Sequence, residues 1–156
     1  MWGGEFNINN YIIGGERGMS NDFENGTGKV DISEYKIGYN LNNDSDYKIA
    51  LYISKLELDW NHEAVTNSSW MFGADVGYNI TDKMYLEMSF GYGIDPETKI
   101  ASGEESAATN ITTVKAKVDY SVAKNTDLYV GYRSYMIAQK DDQNLSGVMA
   151  GITLKF

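Results

Sequence analysis

The chain contains no cysteine, one proline and one histidine in 156 residues. Without cysteine it can build neither a disulfide framework nor a thiolate metal site. Its single histidine leaves any imidazole chemistry resting on one side chain. Positive charge is also short: 13 Lys and Arg against 22 Asp and Glu set the net charge at −9. That disfavours nucleic-acid binding, which needs a basic footprint. No run approaches the roughly 18 apolar residues of a spanning helix. No basic segment followed by a short apolar core opens the chain, so no export leader is visible, and an exported form would already have lost it.

What the chain does have is sixteen Gly, twelve Tyr, three Trp and five Phe, with 42% hydrophobic residues overall. This is enough for one folded domain, residues 1–156, and too apolar for disorder. Mean hydropathy is −0.40, a value that reads as water-soluble. Strands that show lipid only at alternate residues give the same mean, so that reading is not decisive.

The apolar residues recur with period two, the spacing of strands. Trp70, Phe72, Ala74, Val76, Tyr78 and Ile80 share one parity, and Met84, Leu86, Met88, Phe90, Tyr92 and Ile94 the next. Val114, Ala116, Val118, Tyr120 and Val122 follow, then Leu128, Val130, Tyr132 and Met136, and finally Val148, Ala150, Ile152, Leu154 and Phe156. In the first half, 2–13 reads as one strand with Trp2, Phe6, Ile8 and Ile12 together, and Tyr35, Ile37, Tyr39 and Leu41 mark another. In "YKIALYISKLELDW" the apolar parity switches after Ser54, from Tyr47, Ile49, Leu51 and Ile53 to Leu56, Leu58 and Trp60. A bulge, or exit from an apolar band, would do this. The total is eight strands.

Seven connections join them, at about 14–30, 42–46, 61–68, 81–83, 95–110, 123–127 and 139–144. The even ones are tight; the odd ones are longer, except that the last is only modestly so, and rich in Gly, Ser, Asn and acids. In an up-and-down barrel odd and even connections lie at opposite ends, so one rim is short-turned and the other elaborated. The chain ends on a strand whose last residue is Phe156, although termini in water usually fray.

With this alternation and terminal phenylalanine the chain resembles the eight-stranded outer-membrane barrels of the OmpA transmembrane-domain and OmpX type. The resemblance implies an all-β, eight-stranded, antiparallel, up-and-down transmembrane β-barrel in a bacterial outer membrane. Both termini would be periplasmic, and the connections about 14–30, 61–68, 95–110 and 139–144 extracellular. It also implies outer-membrane lipid and lipopolysaccharide as surroundings, and recognition of the last strand by the barrel-assembly machinery. The expected role is structural or surface-interacting, with an unknown protein partner possible.

Two groups of residues follow from parity. Tyr39, Tyr47, Tyr78, Tyr120 and Phe156 fall near the short-turn end of the apolar face, as an aromatic girdle at one membrane interface would. Trp70, Tyr92 and Trp60 would mark the other interface. The opposite face carries Glu5, Glu34, Asp75, Glu87 and Asp119 with Lys36, Lys48, Lys115, Lys117, Arg133 and Lys155. Five acids to six bases imply a mixed-charge, filled lumen rather than an open pore. The glycines of that face, among them Gly73, Gly77, Gly91, Gly131 and Gly151, leave room for neighbours.

No catalytic residue, cofactor or metal site is expected. Outer-membrane deacylases and palmitoyl transferases need a histidine beside a serine. Here His62 sits in "DWNHEAVTNSS" with Glu63, Ser68 and Ser69, without the His-x-Ser spacing of a strand motif. "GYGIDP" and "GGERG" do not form a phosphate-binding glycine loop. Three rival readings remain: a narrow channel, a lipid-modifying enzyme using His62, and a soluble lipocalin-like barrel. Parity alone does not tell inside from outside.

Overall fold

A computed structural model of the chain describes residues 1–20, 29–43, 46–60, 65–94, 96–100, 108–138 and 143–156. Among the described residues there are ten strands: β1 (Trp2–Ile8), β2 (Tyr11–Ser20), β3 (Val30–Asn43), β4 (Tyr47–Trp60), β5 (Val65–Thr81), β6 (Met84–Ile94), β7 (Glu97–Ile100), β8 (Asn110–Ala123), β9 (Thr126–Ala138) and β10 (Gln143–Lys155). Nine form a closed wall in the order β4-β3-β2-β1-β10-β9-β8-β6-β5, sealed by pairing of β4 with β5. The short β7 carries on beyond β6 and pairs with the far end of β5, Val65 opposite Ile100 and Ser68 opposite Glu97. Closure leaves the wall no free edge along its paired length, so backbone donors and acceptors satisfy one another.

The wall therefore has nine strands, not the eight expected. The stretch 2–13 is two strands folded back at Asn9 and Asn10, with Ile8 opposite Tyr11. Asn9 adopts φ 54°, a left-handed conformation that asparagine tolerates and a two-residue hairpin turn uses. This fold-back reverses parity: Tyr11 and Ile13 point outward, while Ile12 is buried inside. It also places β1 parallel to β10, Trp2 beside Ala150 and Asn7 beside Lys155. An even antiparallel barrel brings both chain ends to one rim; the ninth strand does not. Phe156 lies at the short-turn rim, its amide donating to the Asn7 carbonyl, whereas Met1 sits higher in the wall with its ammonium 3.0 Å from the Val148 carbonyl.

Other boundaries shift too. β2 runs to Ser20, so the first long connection begins at 21 rather than 14; β5 begins at Val65 and β10 at Gln143. The 95–110 connection contains β7. Following one row of pairs around the wall from Tyr47 leads through Tyr78, Leu86, Val118, Val130, Ala150, Trp2, Arg17 and Ser33 to Glu57, ten residues further along β4. That stagger tilts the strands by about 40° in a nine-stranded closure.

Below the level of Ser54 the wall is apolar outside and polar inside. Phe6, Ile13, Ile37, Leu51, Val76, Met88, Val130 and Ile152 are all exposed on the outer surface. The outward run of β8, Val114 to Val122, measures roughly 20–25 Å along the barrel axis at this tilt. Above Ser54 the polarity inverts. Val30, Ile32, Leu56, Leu58, Trp60, Met71, Ile111, Tyr135, Ile137 and Leu145 pack together inside the barrel, and Glu57 and Asp59 face out. The change of apolar parity after Ser54 is thus no bulge, because β4 pairs with β3 and β5 in unbroken register across it. Trp60, expected at an outer interface, is instead 7% exposed at the top of this inner core.

Candidate functional site: a cross-braced polar lumen

The lower interior is lined by charge. Period two sends Glu5, Glu34, Lys36, Asp75, Glu87, Lys115, Lys117, Asp119 and Arg133 to the inner face, all of them buried or nearly so. Burying single charges costs several kcal/mol each, roughly, unless each finds a partner. Most partners come from other strands, some adjacent and some across the barrel; only Lys117 and Asp119 pair within one strand.

Lys36 on β3 bridges Glu5 on β1 and Asp75 on β5, 3.0 Å from a carboxylate oxygen of each. Lys115 on β8 lies 3.3 Å from Glu87 and 3.7 Å from Glu16. Lys117, one inward step below it, reaches Glu87 and Asp119 at 3.5 Å and Glu5 at 4.0 Å. Arg133 on β9 spans the lumen. One terminal nitrogen donates to Glu16 at 2.6 Å, the other pairs with Glu34, and Nε donates to the Thr113 hydroxyl at 3.0 Å. Charge-assisted hydrogen bonds of this kind are roughly twice as strong as neutral ones.

Neutral groups complete the shell. The Ser54 hydroxyl donates to Glu34 Oε1 at 2.6 Å, and the Ser89 hydroxyl to Asp75 Oδ1 at 2.5 Å. Thr153 donates to Asp119 at 3.1 Å. Three cations also sit over inward tyrosine or neighbouring rings: Lys36 over Tyr52 at 5.3 Å, Lys117 over Tyr129 at 4.9 Å and Arg133 over Tyr135 at 4.7 Å. These attractions strengthen once water is excluded. The inward tyrosines lie against glycines of adjacent strands. A Cβ at Gly73 would strike Tyr52, one at Gly77 would strike Tyr85, and one at Gly151 would strike Tyr129. Aromatic rings laid over strand glycines in this way fill the space that a missing side chain leaves.

Glu16 and Asp127 belong to this interior and were not expected there. Glu16 fell within the connection read as 14–30, and Asp127 within the turn read as 123–127. The signal for Glu16 was present: after an Asn-Asn turn, Ile12, Gly14, Glu16 and Gly18 continue one parity. Lys155, expected in the lumen, is a rim residue with a 48% exposed side chain that pairs with Asp127. The free space left at the centre, among Glu5, Glu16, Lys36, Lys115, Lys117 and Arg133, is about 10 Å³, about enough for one water.

On the outer surface Tyr39, Tyr47, Tyr78, Tyr120 and Phe156 are exposed in the rows nearest the short-turn rim, joined there by Tyr11. Tyr11 and Tyr39 meet edge to face at 5.4 Å. Trp70 and Tyr92 are exposed at the opposite margin of the apolar belt, with Lys55 5.4 Å above the Trp70 ring.

His62 and Glu63 lie outside the described residues. Ser69 is buried with its hydroxyl donating to the Trp70 carbonyl at 3.2 Å, and Ser68 accepts from Lys55 at 3.2 Å. No protein-family model matches the chain, and no curated protein matches it.

Proposed function

We propose that the chain is a small bacterial outer-membrane β-barrel with a structural or surface-interaction role. The carrying observation is the outer belt: apolar side chains cover the wall all the way round for roughly 20–25 Å, between two rows of aromatics. A water-soluble monomer rarely exposes more than a few hundred Å² of contiguous apolar surface. In this reading lipid and lipopolysaccharide surround the belt. The short-turn rim with Phe156 faces the periplasm, and the assembly machinery reads β10. The connections at the other rim face outward, where a protein partner would be met. The chain departs from the even strand number usual in bacterial single-chain barrels, so the resemblance to OmpA and OmpX is one of architecture.

The rivals fare less well. A lipocalin-like ligand barrel needs an apolar interior along its binding length, whereas the lower lumen here is ion-paired and filled. Steady conduction is disfavoured by the same filling. The enzyme reading rests on His62, which lies outside the described residues.

The test is gel mobility, heated and unheated, after refolding in detergent micelles and separately in buffer. A heat-modifiable, protease-resistant band that requires detergent is the expected result. A folded monomer in plain buffer would overturn the reading and redirect the search to soluble ligands.

A further inference from the structure

The lumen is closed twice, by two kinds of physics. In the lower storey the obstruction is ion pairs, which can exchange a partner for water or a passing ion. Toward the short-turn rim the lining loosens, and Lys48, Asn7 and Ser121 there are only half-buried. The Lys48 ammonium donates to the Asn7 side chain at 3.3 Å, so even that rim contact is polar. In the upper storey Ile32, Leu56, Leu58, Ile111, Ile137 and Leu145 are between 0 and 3% exposed. They arise from five strands, β3, β4, β8, β9 and β10. Asn67 and Ser69 enter the same level from β5, both buried, the Ser69 hydroxyl donating to the Trp70 carbonyl at 3.2 Å. An apolar constriction of this kind stays dry and excludes ions through their desolvation cost.

We propose that the barrel is a half-channel: water and small ions enter the ion-paired storey from the short-turn rim and stop at a dry septum formed by Ile32, Leu56, Leu58, Ile111, Ile137 and Leu145. The ion pairs slow this passage, and the septum, which has no polar partner to exchange, stops it. This rests on the membrane reading above. Ser54 is the natural reporter, because it lies one inward step below Leu56 and bonds Glu34.

The chain has no cysteine, so Ser54→Cys introduces a unique thiol. The full-length variant is inserted into phosphatidylcholine vesicles, its orientation read from tryptic cleavage after the exposed Lys29. Silver ion, a thiophilic probe as small as a hydrated-pore cation, is applied outside or trapped inside. The thiol remaining is counted after denaturation. The expected result is reaction at least about tenfold faster from the short-turn side, the asymmetry that a dewetted constriction imposes. Equal rates from both sides, faster reaction from the long-connection side, or no reaction from either side would overturn the half-channel.

Adding Leu56→Ser and Ile111→Ser should bring the two rates together. If that triple variant fails to show the heat-modifiable band, Thr153→Cys serves as a second reporter, nearer the short-turn rim, with the septum intact, and the same asymmetry is required of it. Failure of the wild type to insert at all, seen as absence of the heat-modifiable band, is separate from these outcomes and sinks the membrane reading itself.

Discussion

Strand β4 is apolar on opposite faces at its two ends. From Tyr47 to Ile53 its large apolar residues point out and Lys48, Tyr52 and Ser54 point in; from Leu56 to Trp60 the apolar residues point in and Glu57 and Asp59 point out. The rest of the wall follows the same division. The lower storey is a barrel turned inside out, with its polar groups in the middle. The upper storey is an ordinary one, with an apolar core and a polar coat. One continuous sheet thus carries opposite polarity patterns at its two ends. What changes at Ser54 is only which parity carries the apolar side chains; the hydrogen-bonded register runs straight through.

The two storeys should break differently, which urea unfolding of the detergent-refolded chain, followed by tryptophan emission, can measure. The largest effect is expected in the lower storey. Arg133→Leu strands Glu16 and Glu34 without their shared guanidinium and should cost about 3–5 kcal/mol, the loss typical of breaking a buried pair from one side. Lys83→Leu, at an exposed turn, should stay within about 0.5 kcal/mol. Equal behaviour of the two would mean that the lumen contacts do not brace the wall.

In the upper storey Leu58→Ala should cost about 2–5 kcal/mol by leaving a cavity among well-packed neighbours. A value near zero would mean that this level is hydrated, and the contrast between storeys would vanish. The outer surface offers a third test. Val130→Lys, in the middle of the belt, should cost about 2–4 kcal/mol in lipid, while Glu57→Lys, above it, should change little. The same small cost at both sites would argue that no apolar solvent surrounds the belt. Smallest of the four, Gly77→Ala should cost about 1–3 kcal/mol, because the new methyl meets the Tyr85 ring and overpacks the lumen. Gly77→Ala combined with Tyr85→Ala should recover part of that loss.

Much of this architecture is legible in the residues. Strands β5, β6, β8, β9 and β10 show clean period-two alternation, because each faces two different environments along most of its length. The nine charged residues from Glu5 to Arg133 could be put on one face for the same reason. The misreadings cluster where local pattern is weak. "WGGEFNINNYIIGGERG" has small or polar residues on both parities, so nothing in it signals the fold-back except Asn9 and Asn10. One missed two-residue turn hid a ninth strand, reversed the parity of Ile12, and concealed Glu16 within a supposed connection.

Local pattern in the residues is enough to show an all-β chain, which residues share a face within most strands, and the tight turns at about 42–46, 81–83 and 123–127. These are properties of period and turn chemistry, which act within ten or so residues. How many strands close the wall, which face is inner at each level, and which carboxylate meets which cation are set by the assembled barrel. Those depend on the ten-residue stagger accumulated around the whole barrel. That stagger brings Arg133 to Glu16, residues 117 positions apart, and no pattern along the chain encodes the height at which two such strands will meet.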